Sequence, residues 1–353
     1  MAPYERERRI AEAAVLQASL VTKRMQSVVT EITKYDNSPV TVADFAAQAL
    51  LVKALHDAFP GDKFLGEEDA AALRKDEPLS SKIYELVLSA ADTVESSTGE
   101  TVRLRKPQSV EEMWDLIDLG GRGTGSSSGR FWVMDPVDGT ATFLKGQQYA
   151  VSLALIEDGK EVVGILGCPN VNTEMTKISE TEVDTDGLGI MLTAVRGCGA
   201  TIRTMAPSGL GEAVPLSVLP APSLDRLHIV DCATATDCRH DVIARLAAKF
   251  QADFPCTEVW SSHIRYAALI VGGGDVQFLL PVSSAFKMHV WDHAGTHLIF
   301  TELGGKVTDL DGKDLDFGAG RDLSKNRGLI AAKGAIHHTM LMEMKQILEE
   351  AQA

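Results

Sequence analysis

Signals for disulfides are missing from this 353-residue chain. Its five cysteines, Cys168, Cys198, Cys232, Cys238 and Cys256, are an odd number with no C-x-x-C pair. A disulfide framework is not expected in a chain this long, and reduced thiols suit a cytoplasmic protein. Positive charge is also short. A formal net charge of −15 offers no basic face to a nucleic-acid polymer. No apolar run reaches the ~20 residues needed to span a bilayer. The charged start, MAPYERERRI, lacks a signal-peptide apolar region, and the closing EEAQA carries no lipidation signal. No membrane partner is expected. The stretch GGRGTGSSSG at 120–129 has neither dinucleotide-fingerprint spacing nor a Gly-Lys-Ser/Thr ending, so it reads as a flexible loop. No internal repeat is visible. What is present, 45% hydrophobic and 24% charged residues, is ordinary for a soluble globular chain long enough for two domains.

Periodicity predicts one long helix over 4–34, with Ile10, Ala14, Val21, Met25 and Val28 near one stripe. Asn37-Ser38-Pro39 breaks it. Thr41 then opens a helix to about Ala58, which Pro60-Gly61 ends. A short strand is expected at 63–65 and a helix at 81–95. Further strands are expected at 131–134, 149–157, 161–167, 190–196 and 200–204. Pro207-Ser208-Gly209 and Pro220 to Pro222 punctuate a boundary. Beyond it, strands at 226–231, 275–280 and 328–332 alternate with helices at 239–250, 262–271, 292–303 and 335–349. The fold class read from this is α/β: an α+β domain over 1–215 with a mostly antiparallel sheet, and an α/β domain over 216–353. The active site is expected between them, with the first helix and the 120–129 loop as candidate lids.

Chemistry concentrates in carboxylates. Asp135-Pro136-Val137-Asp138-Gly139-Thr140 follows a buried apolar strand. Asp is costly there unless it is paired or binds a metal. Taken alone, the hexapeptide is equally a turn with capping acids. Gly66-Glu67-Glu68 follows another short strand, Asp44 lies one turn into a helix, and Trp291-Asp292 opens one. Oxygen ligands suit hard cations, magnesium above all, and no Cys or His cluster competes in the sequence.

N-S-P-V-T-x-x-D, G-E-E, D-P-V-D-G-T-x-x-F and W-D-x-A occur in this order. Together they resemble the lithium-sensitive phosphatases of the inositol-monophosphatase superfamily. DNSPVT, FWVMDPVDGTATFLKG, YAVSLALIEDG and KDLDFGAGR look more closely like the 3'(2'),5'-bisphosphate nucleotidase family, over nearly the whole chain. The resemblance implies a layered αβαβα sugar-phosphatase-like fold and a Mg2+-dependent phosphatase acting on a small phosphorylated substrate. It implies that Glu67, Asp135, Asp138, Asp292 and the Val137 carbonyl hold metal. Asp44 and Thr140 would activate water. Gly139 and Thr140 would offer N–H groups to the scissile phosphate, and Ser262, Arg265 and Asp292 would meet the rest of the substrate. A monomer or weak homodimer is expected.

The substrate side departs from the pattern. Arg265 stands where the family has Lys, Leu279 where it has Arg, and Asp237 where it has His. Met288-His289 replaces Glu-Lys, and Ala294-Gly295-Thr296 replaces Ala-Ala-Gly. Three functions stay open: hydrolysis of the 3'-phosphate of 3'-phosphoadenosine 5'-phosphate, hydrolysis of another metabolite such as an inositol phosphate, or a diverged non-phosphatase role. His289, His293 and His297 share one face if that stretch is helical, which admits a zinc site. The plainer reading is unconnected histidines. Asp184-x-Asp186-Gly187 reads as a solvated turn, and Trp260 and Phe286 as core rather than base-stacking platforms.

Overall fold

The computed structural model describes residues 3–26, 31–33, 39–95, 101–172, 174 and 176–351. Apolar runs such as Phe131–Met134 and Val151–Ile156 form the centre of an eight-stranded sheet. Its order is Gly209–Leu210, Ala200–Ala206, Ile190–Val195, Lys160–Cys168, Ala150–Glu157, Arg130–Asp138, Lys63–Gly66, with Val214–Pro215 also paired to Ala200–Ala206. Near-continuous hydrophobicity marks strands covered on both faces. One face lies against helices Glu5–Gln26 and Val42–Ala58, the other against Ala294–Glu302. A second sheet follows in the order Thr257–Glu258, Ile229–Asp231, Val276–Leu279, Leu329–Lys333, Gly305–Thr308. Its first three strands run parallel and the rest antiparallel. Helices His240–Lys249 and Gly334–Glu350 cover its outer side around Val242, Leu246, Phe278, Ile330 and Met340. The αβαβα layering is as expected. Among the described residues no helix is long and apolar enough to cross a membrane.

Two features of the first sheet set up a site. Lys63–Gly66 runs parallel to Arg130–Asp138, with Gly66 opposite Met134. The chain therefore leaves both strands at the same end, and Glu67-Glu68 and the Asp135–Asp138 segment emerge side by side. The second feature is a bulge. Asp135 pairs with Ser152 but Asp138 with Ala150, so three steps on one strand match two on the other. Pro136, with no N–H to give the ladder, falls inside the irregularity. Residues three apart on a regular strand point to opposite faces; the bulge re-aims them.

Several boundaries differ from expectation. The first helix ends at Gln26, and Glu31–Thr33 is a strand paired with Pro39–Thr41. Ile32 and Thr33 are β-branched, which favours a strand, and residues 27–30 lie outside the described residues. Asn37 and Ser38 lie outside the described residues. The helix expected at 81–95 is Glu77–Leu88, started by Asp76, whose side chain accepts the Leu79 N–H at 3.0 Å. Thr93–Glu95 is a strand. Helix Val110–Gly121 was not expected, although Ser109 and Glu112 carry its start signal: the Ser109 hydroxyl accepts the Glu112 N–H at 3.2 Å. The first helix is no lid, because Ala11 to Ser19 are all buried against the sheet and the neighbouring helix.

Candidate metal centre

Helix Val42–Ala58 is buried at every position from Val42 to Leu55, as suits a helix apolar all round. It carries three polar residues into that setting, and two of them build the site. Asp44 is fully buried. Gln48, one turn on and so on the same face, donates to the Glu68 carbonyl (2.6 Å) and the Ile117 carbonyl (2.9 Å). Its side-chain oxygen accepts the Glu68 N–H at 3.0 Å. Gln48 thus fixes the turn after Lys63–Gly66 against the helix. The result is that Asp44, Glu67 and Glu68 bring carboxylate oxygens within 4.8 Å of one another.

A second trio, Asp135, Asp138 and Asp292, meets the same distance limit. Asp138 is held from the other half of the chain. Its Oδ2 accepts the Ser261 hydroxyl and the His263 N–H (2.7 Å), at the first turn of helix Ser262–Val271. The His263 ring then anchors the third acid. Its Nε2 lies 2.8 Å from the Trp291 carbonyl, which can only accept, so Nε2 carries the proton and Nδ1 accepts the Thr296 hydroxyl at 2.8 Å. Burial holds this imidazole neutral. Asp138, helix Ser262–Val271 and Trp291-Asp292 therefore form one connected unit.

The two trios act on each other. Burial pushes the Asp135 carboxyl well above its ordinary 3.8, and Glu67, Asp138, Asp292 and Asp44 push it further. Asp292 is raised by burial, then by Asp138 and Glu67. Asp135 is 2% exposed and its Oδ1 has no hydrogen-bond partner. A buried, partnerless carboxylate oxygen among like charges is unfavourable by about 1–3 kcal/mol or more, and a cation removes the penalty. The ligand atoms are oxygens, so a hard divalent ion fits.

Gly139 adopts φ 94°, and a Cβ there would come within 3.0 Å of the Ser261 Cβ. Both the backbone angle and the approach of Ser261 require glycine. Gly139→Ala is expected to lower stability by about 1–2 kcal/mol in urea unfolding and to loosen the Asp138–Ser261 contact. Thr140, just beyond, donates its hydroxyl to the Val137 carbonyl at 3.2 Å.

On the expected substrate side, Arg265 is 7% exposed. One terminal nitrogen donates to the Ser262 hydroxyl at 3.0 Å, while its Nε has no partner. Its charge also reaches Asp292, whose carboxyl it pulls down against burial and the neighbouring acids. Leu279 ends its strand half-buried against the core, and Asp237 lies in the turn before His240–Lys249. Trp260 is half-exposed beside Ser261, whereas Phe286 packs on the core.

The three histidines do not converge. The helix begins only at Ala294, so His289 and His293 precede it. His289 contacts Asp322 at 3.0 Å and stacks on Trp291. His297 bonds Glu161, and His293 is buried against Tyr266. Asp184 caps its own turn, accepting N–H groups of Asp186, Gly187 and Gly189.

Sequence reasoning missed Glu68 as a cluster member, and it missed Gln48, Ser261, His263 and Arg321. Arg321 donates to the carbonyls of Gly66 (2.8 Å), Gly121 (2.9 Å) and Gly123 (3.0 Å), and its guanidinium lies 4.6 Å from the Trp291 ring centroid. It ties the residue before Glu67 to the residue before Asp292, and it holds the start of the 120–129 loop. Lysine cannot span these carbonyls and stack at once. Arg321→Lys is therefore expected to weaken divalent-cation binding about 10–100-fold while circular dichroism stays unchanged. An unaltered metal requirement would leave Arg321 a purely structural tie.

A fold of this layering, with six acids pooled between its halves, meets its counterpart among known proteins. The model described as the inositol monophosphatase family matches residues 5–349, and the chain belongs to that family. The 3'(2'),5'-bisphosphate nucleotidase of Emericella nidulans is 36% identical over 357 residues, covering 98% of this chain and 99% of its own. The protein of the same name from Schizosaccharomyces pombe is 36% identical over 345 residues, covering 96% and 94%. Among solved structures, the Thermotoga maritima IMPase superposes with a TM-score of 0.62 at 18% identity, covering 99% of both chains. At that identity the likeness concerns the fold.

Proposed function

We propose that this chain is a magnesium-dependent phosphomonoesterase that removes the 3'-phosphate of 3'-phosphoadenosine 5'-phosphate, leaving AMP and inorganic phosphate. The observation that carries the reading is the gathering of Asp44, Glu67, Glu68, Asp135, Asp138 and Asp292 in two trios whose charges act on each other. In a chain of net charge −15, such a centre repels a phosphate ester unless cations intervene. Glu67, Asp135, Asp138, Asp292 and the Val137 carbonyl are the residues assigned to Mg2+, and Glu68 joins them from the geometry. Bound magnesium neutralises phosphate charge and lowers the pKa of water.

The chain's own groups do the rest. Asp44 and the Thr140 hydroxyl orient the attacking water, and the Asp44 carboxylate takes its proton. That water forms the new P–O bond as the ester P–O bond to the ribose breaks, and the departing 3'-oxygen takes a proton from solvent. Backbone N–H groups of Gly139 and Thr140 face the scissile phosphate. Ser262 and Arg265 hold the second phosphate, and the unpartnered Arg265 Nε is the donor free to turn to it. Residues 1–215 supply the metal ligands apart from Asp292 and the N–H groups for the scissile phosphate, and 216–353 the contacts to the rest of the substrate. The free cysteines suit the reducing cytoplasm.

The names of the two relatives at 36% identity support the nucleotide as substrate. Asp237 and Leu279 favour a second reading, another small phosphorylated metabolite such as an inositol phosphate, because they put an acid and an apolar side chain where the resemblance implies cations. A panel of phosphate esters assayed with saturating magnesium separates the two. The nucleotide is expected to give the highest kcat/KM and lithium to inhibit. Preference for an inositol phosphate selects the second reading, and no phosphate release from any ester rejects both.

A further inference from the structure

Besides the two acidic trios, the described residues hold one other group suited to a metal: Asp231, Cys238 and His240, whose ligand atoms lie within 4.8 Å of one another. Asp231 ends a strand, Cys238 sits in the following turn, and His240 opens helix His240–Lys249. Sequence spacing suggested no Cys or His cluster, and folding creates one.

The hydrogen bonds of His240 do not balance for a neutral ring. Its Nε2 lies 2.7 Å from the Ala235 carbonyl, and its Nδ1 lies 3.0 Å from Asp231 Oδ2. Both partners are acceptors. A neutral imidazole has one N–H, which the carbonyl claims, so Nδ1 turns a lone pair to a carboxylate. Something positive belongs between them, either a second proton or a metal ion. Cys238 decides for the metal. Its thiol joins the same 4.8 Å group, and so offers a cation a third ligand that a proton would not use.

We propose that Asp231 Oδ2, Cys238 Sγ and His240 Nδ1 form a second cation site, built for a zinc-type divalent ion rather than for magnesium. Mixed N, O and S ligands select borderline-soft ions, and three protein ligands leave a fourth position open. Ligand bonds of ~2.0–2.3 Å put tetrahedral neighbours roughly 3.3–3.8 Å apart. The Nδ1 to Oδ2 separation therefore needs only a small widening. The Ala235 carbonyl already fixes the ring through Nε2, as metal-bound histidines require. Asp231 is 2% exposed, whereas the His240 side chain is 24% exposed and gives an entry path. On binding, Cys238 releases its proton to solvent, as does Nδ1 where it carries one. Because that proton must leave, metal uptake weakens as pH falls. Arg265 is close enough to act on the same sulfur. On the reading given above for Arg265, a dication here adds positive charge next to the second phosphate.

The test uses cobalt(II) as probe on the full chain, in a large excess of magnesium that fills the acid-lined centre. One equivalent of cobalt is expected to give tetrahedral d–d bands and a sulfur-to-cobalt charge-transfer band. Cys238→Ser should remove the charge-transfer band, Cys232→Ser should keep it, and His240→Gln should weaken affinity at least ~100-fold. No sulfur band in the wild type, a band that survives Cys238→Ser, or cobalt binding abolished by magnesium would each overturn the site. Because the readout is optical, failure here leaves the hydrolytic reading standing, and a protein inactive on every phosphate ester leaves this site standing.

Discussion

Replacing Asp138 by Asn is expected to cut phosphate release about a thousandfold, or about 4 kcal/mol of transition-state stabilisation, with the fold intact. Asn has nearly the same shape and keeps an oxygen to accept the Ser261 hydroxyl and the His263 N–H. What it removes is the negative charge and the second ligand oxygen. Ser261→Ala makes the complementary change, deleting one bond to Asp138 while leaving its charge, and should cost about 10–100-fold. The double variant should be little worse than Asp138→Asn alone, because both act through one carboxylate. Steady-state assays on the best ester, with magnesium varied, check all three. Undiminished turnover in Asp138→Asn would remove the acid-lined centre from the chemistry.

Asp135→Asn should make the metal-free protein more stable and should gain far less stability from magnesium than the wild type does. Without metal, Asp135 is buried among like charges, with one oxygen unpartnered. A neutral isostere relieves that by about 1–3 kcal/mol. With magnesium at ~100 times its dissociation constant, the wild type gains about 2.7 kcal/mol, which the variant forgoes. The pH dependence follows from the same groups. In the folded, metal-free chain Asp135 and Asp292 keep protons above 3.8, their ordinary value, whereas in the unfolded chain they lose them near it. The folded state binds more protons across that window. Its stability from this source is present at low pH and falls as pH rises through the raised values. Urea unfolding in chelator from pH 4 upward should therefore decline more steeply for the wild type than for Asp135→Asn. Parallel curves would mean that the carboxylates are not electrostatically joined.

The sequence carried the acids well and their supports poorly. Asp135 and Asp138 stood out because charge directly after FWVM has few explanations, and the buried strands declared themselves as apolar runs. Gln48, Ser261, His263 and Arg321 gave no such signal. Their partners lie 20 to 255 residues away, and nothing local distinguishes Gln48 from any helical glutamine. A helical stripe that continues past Gln26 in the sequence does not reveal the strand at Glu31–Thr33, whose pairing with Pro39–Thr41 is a contact outside any helical window. The plainer reading of the three histidines holds for a geometric reason: a face shared at four-residue spacing exists only once the helix has begun, and here it begins at Ala294. Asp231, Cys238 and His240 were invisible as a group because a turn, not a repeat, brings them together.

Side-by-side departure of the two acid-bearing turns has an implication for how this architecture tolerates change. The chain leaves the main sheet at Gly66 and re-enters it at Arg130, and these two strands are locked to each other by pairing. The excursion between them, helices Glu77–Leu88 and Val110–Gly121 included, is free to lengthen or shorten at the hairpin Thr93–Arg103 without displacing either ligand-bearing end. Natural variation in chain length should accumulate there, and a fusion partner or reporter inserted in that hairpin should leave catalysis intact.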